Sequence, residues 1–299
     1  MERELWSVVY DGLRRVARAD DEPEVQHPTS TVLAGLRWAA LHDRPVSWAV
    51  QKRHWKTGCR RPTTLPSATT GSRRRDSVAA GMLLRDLLTG LREHEHAPLL
   101  ARLDGKPLPV GGCTSDREVK RGDAAGAMAK GCKRHTVWAG RATPEAFLVT
   151  PLNAPEPKVA EELVTPVPGW GRGGYLRADA AYDRSAPHDA AARAGYARRT
   201  PVPAAAGGGR RYQSPHRLAA IAAWQAPTLP LAANALKFAP SLYRERTDIE
   251  RQYGAGSSFG GGLGPLPAGT RRRRRVYGWV AAKLAVNGAR ILRNAQRQS

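Results

Sequence analysis

Cysteine is scarce in this 299-residue chain, which holds three: Cys59, Cys113 and Cys132. Three cysteines cannot form a closed disulfide framework, and their spacing fits no standard zinc site. Cys132 lies three residues before His135, but no fourth ligand is spaced to join them with Cys113. Long apolar runs are missing as well. None reaches the ~18 residues that a membrane span needs, and the opening MERELWSVVYDGLRR lacks a signal-peptide core. The expectation is a reduced, cytoplasmic protein with no membrane partner. Acids are few, 26 against 48 Lys and Arg, for a formal charge of +22. Lysine itself is rare, nine of those 48. A mixture rich in Arg, Ala, Gly and Pro is what a GC-rich coding sequence produces, so the sign of the charge says more than its size. That sign points to a polyanionic partner, foremost nucleic acid. Apolar residues make up 41%, enough at this length to fold around a real core.

Periodicity divides the chain near residue 98. Leu5, Val8, Val9, Leu13 and Val16 recur at helical spacing over 5–17, and a second helix is expected over 31–42. The segment LPSATTGSRRRDSVAAGMLLRDLLTGL reads as a capped helix whose first turn is Arg73, Arg74 and Arg75. Cations there oppose the helix dipole, which makes them easier to understand as phosphate contacts than as stabilisers. Beyond 98 the pattern turns mixed. LLARLDGKPLPVGG reads as a hairpin-like pair with its turn at Asp104-Gly105. CKRHTVW and EAFLVT follow as strands, then EPKVAEELV as a helix, GGYLRADAAYD as a strand ending in acids, SAPHDAAARAG as a helix and YARRTPV as a strand. A glycine-rich loop through AAAGGGRRYQSPHR leads to a helix at 241–253. The last helix, roughly 276–294, comes after five consecutive arginines. Strands followed by alternating helices and strands indicate an α/β fold, a mixed sheet covered by helices. An all-helical N-terminal region (1–98) precedes it, and no internal repeat is visible.

Two motifs are decoys. GWGRGG fits the dinucleotide-binding pattern but precedes a strand, whereas that fingerprint must follow a strand and open a helix. HEH at 94–96 lacks the i, i+4 spacing of a helical zinc site. The acids say more. Asp104 and Asp179 each close an apolar run. In LYRERTDIERQYG, Tyr243, Arg246 and Glu250 sit at steps of three and four, which stacks a phenol, a guanidinium and a carboxylate on one helix face. Carboxylates are the ligands Mg²⁺ and Mn²⁺ prefer, and two such ions serve phosphodiester exchange. Acids so far apart converge only through a fold.

From Asp104 onward the chain resembles the DDE-type transposases of bacterial insertion sequences, in the IS-four-like group. The likeness is carried by DGKPLPVGG, DREVKRGDAAGAMAKGCKRHTVW, VTPLN, YLRADAAYD, SPHR, LYRERTDIERQYG and SFGGGLGPLP. Its most specific motif is Y-(2)-R-(3)-E-(6)-K, met by Tyr243, Arg246 and Glu250, with Ser257 in place of the final Lys. The resemblance implies a ribonuclease H-like catalytic domain over 99–299, with five strands, Asp104 on the first and Asp179 just after the fourth. Asp179 is preferred to Asp183 because it directly ends the strand. The resemblance further implies that Asp104, Asp179 and Glu250 hold two Mg²⁺ ions, for which Mn²⁺ can substitute. The reaction would be cleavage at transposon ends followed by strand transfer into target DNA. Tyr243 and Arg246 would grip the transposon-end backbone. Further phosphate contacts are expected from Lys133, Arg134 and His135 and from Arg271, Arg272 and Arg273. End recognition falls to residues 1–98, including Arg73 to Arg75. The partners expected are double-stranded DNA and a second protomer in the DNA complex, with the protein associated with the nucleoid. The alternatives are an inactive DNA-binding remnant, a nuclease of the same fold that does not transpose, and a basic nucleic-acid-binding protein without catalysis.

Overall fold

The computed structural model describes residues 2–17, 27–62, 100–112, 114–138, 144–164, 174–200, 213–225, 266–267 and 269–296. Its helices are α1 (Glu2–Ala17), α2 (Thr29–Leu41), α3 (Val46–Ala49), α4 (Glu156–Leu163), α5 (Ser185–Arg193), α6 (Pro215–Gln225) and α7 (Arg273–Gln296). Its strands are β1 (Leu100–Pro109), β2 (Lys120–Asp123), β3 (Met128–Trp138), β4 (Ala146–Pro151), β5 (Gly174–Ala178) and β6 (Tyr196–Arg199). They form a mixed sheet in the order β2-β3-β1-β5-β6, with β4 also paired to β3. β2 and β3 are antiparallel, while β5 runs parallel to both β1 and β6. The fold class is therefore the expected one, a mixed α/β sheet flanked by helices with a helix at the N-terminus.

The chain divides into two compact units. One comprises Met1–Glu95, Leu108–Cys132 and Tyr253–Ser299. Its core is aromatic. Leu5, Trp6, Val9 and Leu13 fall on one face of α1 and pack with Leu33, Trp38 and Leu41 of α2, with Trp55, and with Ala282 and Val286 of α7. Trp38 and Trp55 stack at 4.6 Å, and Trp6 meets Trp38 edge-on at 4.9 Å. Burying an indole leaves its N–H to be satisfied. Each of the three donates to a backbone carbonyl: Trp6 to Arg60, Trp38 to His54 and Trp55 to Ala49.

The other unit comprises His96–Pro107 and Lys133–Gln252. Its core joins Ala101 and Leu103 of β1, Val137 of β3, and Leu176 and Ala178 of β5 to Val159, Ala160 and Leu163 of α4 and Ala191 of α5. Helix α5 links the parallel pair β5 and β6, the kind of crossover such a pair requires.

Four expectations need correction. Asp104-Gly105 is no turn: β1 runs unbroken from Leu100 to Pro109, and the left-handed glycine comes later, at Gly111 (φ 80°). Asp-Gly is a common hairpin signal, but here glycine provides space. A Cβ at Gly105 would lie 2.7 Å from both Lys133 Cε and the Tyr182 hydroxyl. Secondly, six strands are described where five were expected, so Asp179 follows the fifth. The extra one, β2, turns into β3 through Ala125 (φ 58°) and Gly126 (φ 91°), closed by Ala124 N–H to Ala127 C=O at 2.7 Å. An alanine in the left-handed region hides that turn from sequence reading. Thirdly, SPHR is a helix start. The Ser214 hydroxyl accepts from Arg217 N–H at 3.1 Å, and Pro215 opens α6. Fourthly, α7 begins inside the arginine run, at Arg273. The helices expected around Arg73–Arg75 and at 241–253 lie outside the described residues.

Candidate active site on the parallel strands

The register of β1 and β5 decides where the acids stand. Leu103 pairs with Ala178, so Asp104 comes next on β1 while Asp179 directly follows the end of β5. Side chains alternate across a strand. Leu103 and Ala178 point into the apolar core, and both are wholly buried. Asp104 therefore projects to the opposite face, and the extended backbone of Asp179 (φ −67°, ψ 159°) carries it on in the same sense. Both acids are half-buried. Asp104 Oδ1 accepts from Gly105 N–H at 2.9 Å. Asp179 caps the short 3₁₀ turn Ala180–Tyr182 by accepting from Ala181 N–H at 3.5 Å.

Behind Asp104, on the core side, lies a chain of polar groups. His135 Nδ1 is 2.8 Å from the Tyr182 hydroxyl, and its Nε2 is 3.0 Å from the Thr150 hydroxyl. Thr150 in turn donates to the Pro151 carbonyl at 3.1 Å. Burial, and secondarily the charge of Lys133, pushes the His135 imidazole down to about 3. At neutral pH it carries one ring proton. Lys133 is ion-paired with Glu156.

Asp183, four residues after Asp179, is engaged elsewhere. Arg217 grips it with two hydrogen bonds, Nε to Oδ1 at 2.9 Å and Nη2 to Oδ2 at 2.6 Å. His188 Nε2 lies 3.1 Å from the same Oδ1. Burial alone would raise this carboxyl, but the His188 and Arg217 hydrogen bonds and the Arg217 charge hold it far below the usual carboxylate range. It is a structural anion.

The other expected contacts divide. Arg134 and His135 are wholly buried, so as placed they offer no surface to a phosphate, whereas Lys133 is part-exposed. The sequence pattern placed all three together, but strand alternation and core burial separate them. In the α7 region, Arg271 and Arg272 are exposed. Arg273 is committed: its N–H donates to Asp116 Oδ2 at 2.8 Å and its guanidinium to Glu118 Oε1 at 2.5 Å. Burial would raise the Asp116 carboxyl. Hydrogen bonds from the Glu118 and Arg273 backbone, with the Arg272 and Arg273 charges, lower it overall. Tyr243, Arg246, Glu250, Ser257 and Arg73 to Arg75 lie outside the described residues. Both described cysteines, Cys59 and Cys132, are free thiols, and burial pushes Cys132 up to about 12.

A family model, the transposase DDE domain, matches residues 97–263, more than half of the chain. The chain belongs to the DDE transposase family. No curated protein and no solved structure matches it. The matched span contains all three acids of the expected triad. Two carboxylates, each directly following a member of the Leu103–Ala178 pair, offer the hard oxygen donors a divalent cation prefers. Among the described residues no cluster of three His, Cys, Asp or Glu stands close enough to hold a metal. No described helix of this transposase is long and apolar enough to cross a membrane. Sequence reasoning missed Gly105 and Thr150 as site neighbours, whereas Tyr182 belongs to DAAYD, within one of the stretches that carry the resemblance. Only the strand alternation of Lys133 and His135 signalled that one face of β3 looks towards Asp104-Gly105.

Proposed function

We propose that this transposase cuts DNA at the ends of a mobile element and joins the freed 3′-OH to target DNA, with Asp104, Asp179 and Glu250 as its acidic triad. The observation that carries the reading is the Leu103–Ala178 pairing, since each partner is followed directly by one of two acids 75 residues apart in sequence. The commitment of Asp183 to Arg217 and His188 supports Asp179 as the second acid. A ribonuclease H-like sheet is supported by the central place of β1, between β3 on one side and parallel β5 and β6 on the other.

The triad would hold two Mg²⁺ or Mn²⁺ ions, which supply activation of the attacking oxygen and neutralisation of charge on the leaving oxygen. Arg246 and Tyr243 hold the transposon-end backbone, a guanidinium matching phosphate through paired hydrogen bonds. Lys133, Arg271 and Arg272 add sequence-independent phosphate contacts. Residues 1–98 recognise the DNA end, and two protomers bring the two ends together on nucleoid DNA in the cytoplasm.

The test is cleavage of labelled DNA carrying the element's terminal repeat, in Mg²⁺ or EDTA, by wild type, Asp104→Asn and Glu250→Gln. Metal-dependent nicking at the repeat boundary, lost in both variants, is the expected result. Binding without nicking in either divalent metal would identify an inactive remnant. Nicking without strand joining would identify a nuclease.

A further inference from the structure

We propose that Tyr182, held by His135, is a positioning residue that fixes the backbone carriers of Asp104 and Asp179 against each other; this rests on reading those two acids as metal ligands. The hydrogen bonds have one consistent direction. Thr150 uses its only hydroxyl proton on the Pro151 carbonyl, so towards His135 it can only accept. His135 therefore donates from Nε2, which leaves Nδ1 without a proton and able only to accept. Tyr182 must be the donor at 2.8 Å. The result is a directed chain, Tyr182 O–H to His135 Nδ1, His135 Nε2–H to Thr150, Thr150 O–H to Pro151. Every proton in it has an acceptor.

That chain touches both acid carriers. Tyr182 is the last residue of the 3₁₀ turn that Asp179 caps, and it is almost wholly buried. The same hydroxyl occupies the space above Gly105, where a Cβ would come within 2.7 Å of it and 3.1 Å of His135 Nδ1. Gly105 follows Asp104 directly, and its N–H donates to the Asp104 carboxylate. The strand bearing one acid thus rests on the phenol whose turn bears the other. His135 and Thr150, from β3 and β4, hold that phenol in place. Tyr182 neither contacts substrate nor supplies a ligand; it sets where the two carboxylates stand.

The experiment is Mn²⁺ binding to the full chain without DNA, by titration calorimetry and by the electron paramagnetic resonance of free Mn²⁺. Tyr182→Phe, which keeps the ring and removes the hydroxyl, is expected to bind Mn²⁺ roughly 10-fold more weakly with an unchanged far-ultraviolet circular dichroism spectrum. Gly105→Ala, whose methyl would crowd both that hydroxyl and Lys133 Cε, is expected to weaken binding as well. Leu163→Ala, which loosens the same core from α4, should leave the affinity intact. If Leu163→Ala weakens binding as much as Tyr182→Phe, the effect is general loosening and the positioning role fails. Wild-type affinity in Tyr182→Phe, with binding lost in Asp104→Asn and Asp179→Asn, would overturn the positioning role and leave the acids as ligands. Wild-type affinity in Asp104→Asn and Asp179→Asn would overturn both. Nitrogen-15 spectra of the wild-type His135 ring provide a check that needs no variant. The expected form has a bare Nδ1 and a protonated Nε2, and the opposite tautomer would refute the chain.

Discussion

A carboxylate as buried as Asp183 survives only because two partners satisfy it, and each bond counts for more away from water. Removing one partner leaves the charge stranded. Arg217→Ala is therefore expected to cost about 3–5 kcal/mol, measured as a shift in the urea midpoint at unchanged slope. His135 provides a pH signature. Its folded value of about 3 lies below the ordinary 6.5, so as pH falls through that window the unfolded chain takes up a proton that the folded chain refuses. The stability tied to neutral His135 is complete above pH 6.5 and declines as pH drops towards 3, at up to ~1.4 kcal/mol per pH unit. Urea titrations at pH 7.5 and pH 5 should show this loss in the wild type and a flatter dependence in His135→Gln. At this scale the sequence drew attention to Asp104 and Asp179 because each ends an apolar run. It could not distinguish a histidine on the surface from one in the core, since KRHTV reads equally well as a basic patch and as a strand.

Helices α1, α2, α4, α5 and α7 were legible in the sequence, as were the strands from β3 to β6, which show as short apolar runs between turn residues. What went unread were elements whose signals have two meanings. Asp104-Gly105 has the composition of a hairpin turn, yet its glycine answers crowding from neighbouring side chains, and a sequence does not show those neighbours. Ser214-Pro215 carries both the cap and the first-turn proline of a helix, but the glycines before it made the whole stretch look like loop. Ser214→Ala should lower stability by ~1 kcal/mol, with hydrogen exchange rising in the first turn of α6. Gly131 is a stricter case. A Cβ there would sit 2.6 Å from the Leu108 carbonyl oxygen, a backbone atom that cannot swing aside. Gly131→Ala should therefore destabilise by roughly 1–3 kcal/mol, seen as a lower thermal midpoint.

For the molecule as a whole, the charge of +22 predicts strong salt dependence in DNA binding. The arginines of 271–275 do not contribute equally to it, because Arg273 serves the protein's own Asp116 and Glu118 while Arg272 and Arg274 are exposed. Replacing Arg272 and Arg274 with Ala should reduce the slope of log affinity against log salt by about 2. Arg273→Ala should leave that slope nearly unchanged, and fluorescence anisotropy across a salt series separates the two. Composition could give the sign of this field but not its division, since paired and exposed arginines are written with the same letter. The rung shared by Leu103 and Ala178 also bears on how such a chain can diverge. Because β1 and β5 pair directly, loops in the excursion between the two acids can lengthen or shorten without moving either one. A single-residue slip within either strand would instead turn its acid towards the core. Insertions and deletions among related chains should therefore gather between these strands and be absent from the few positions that set their register.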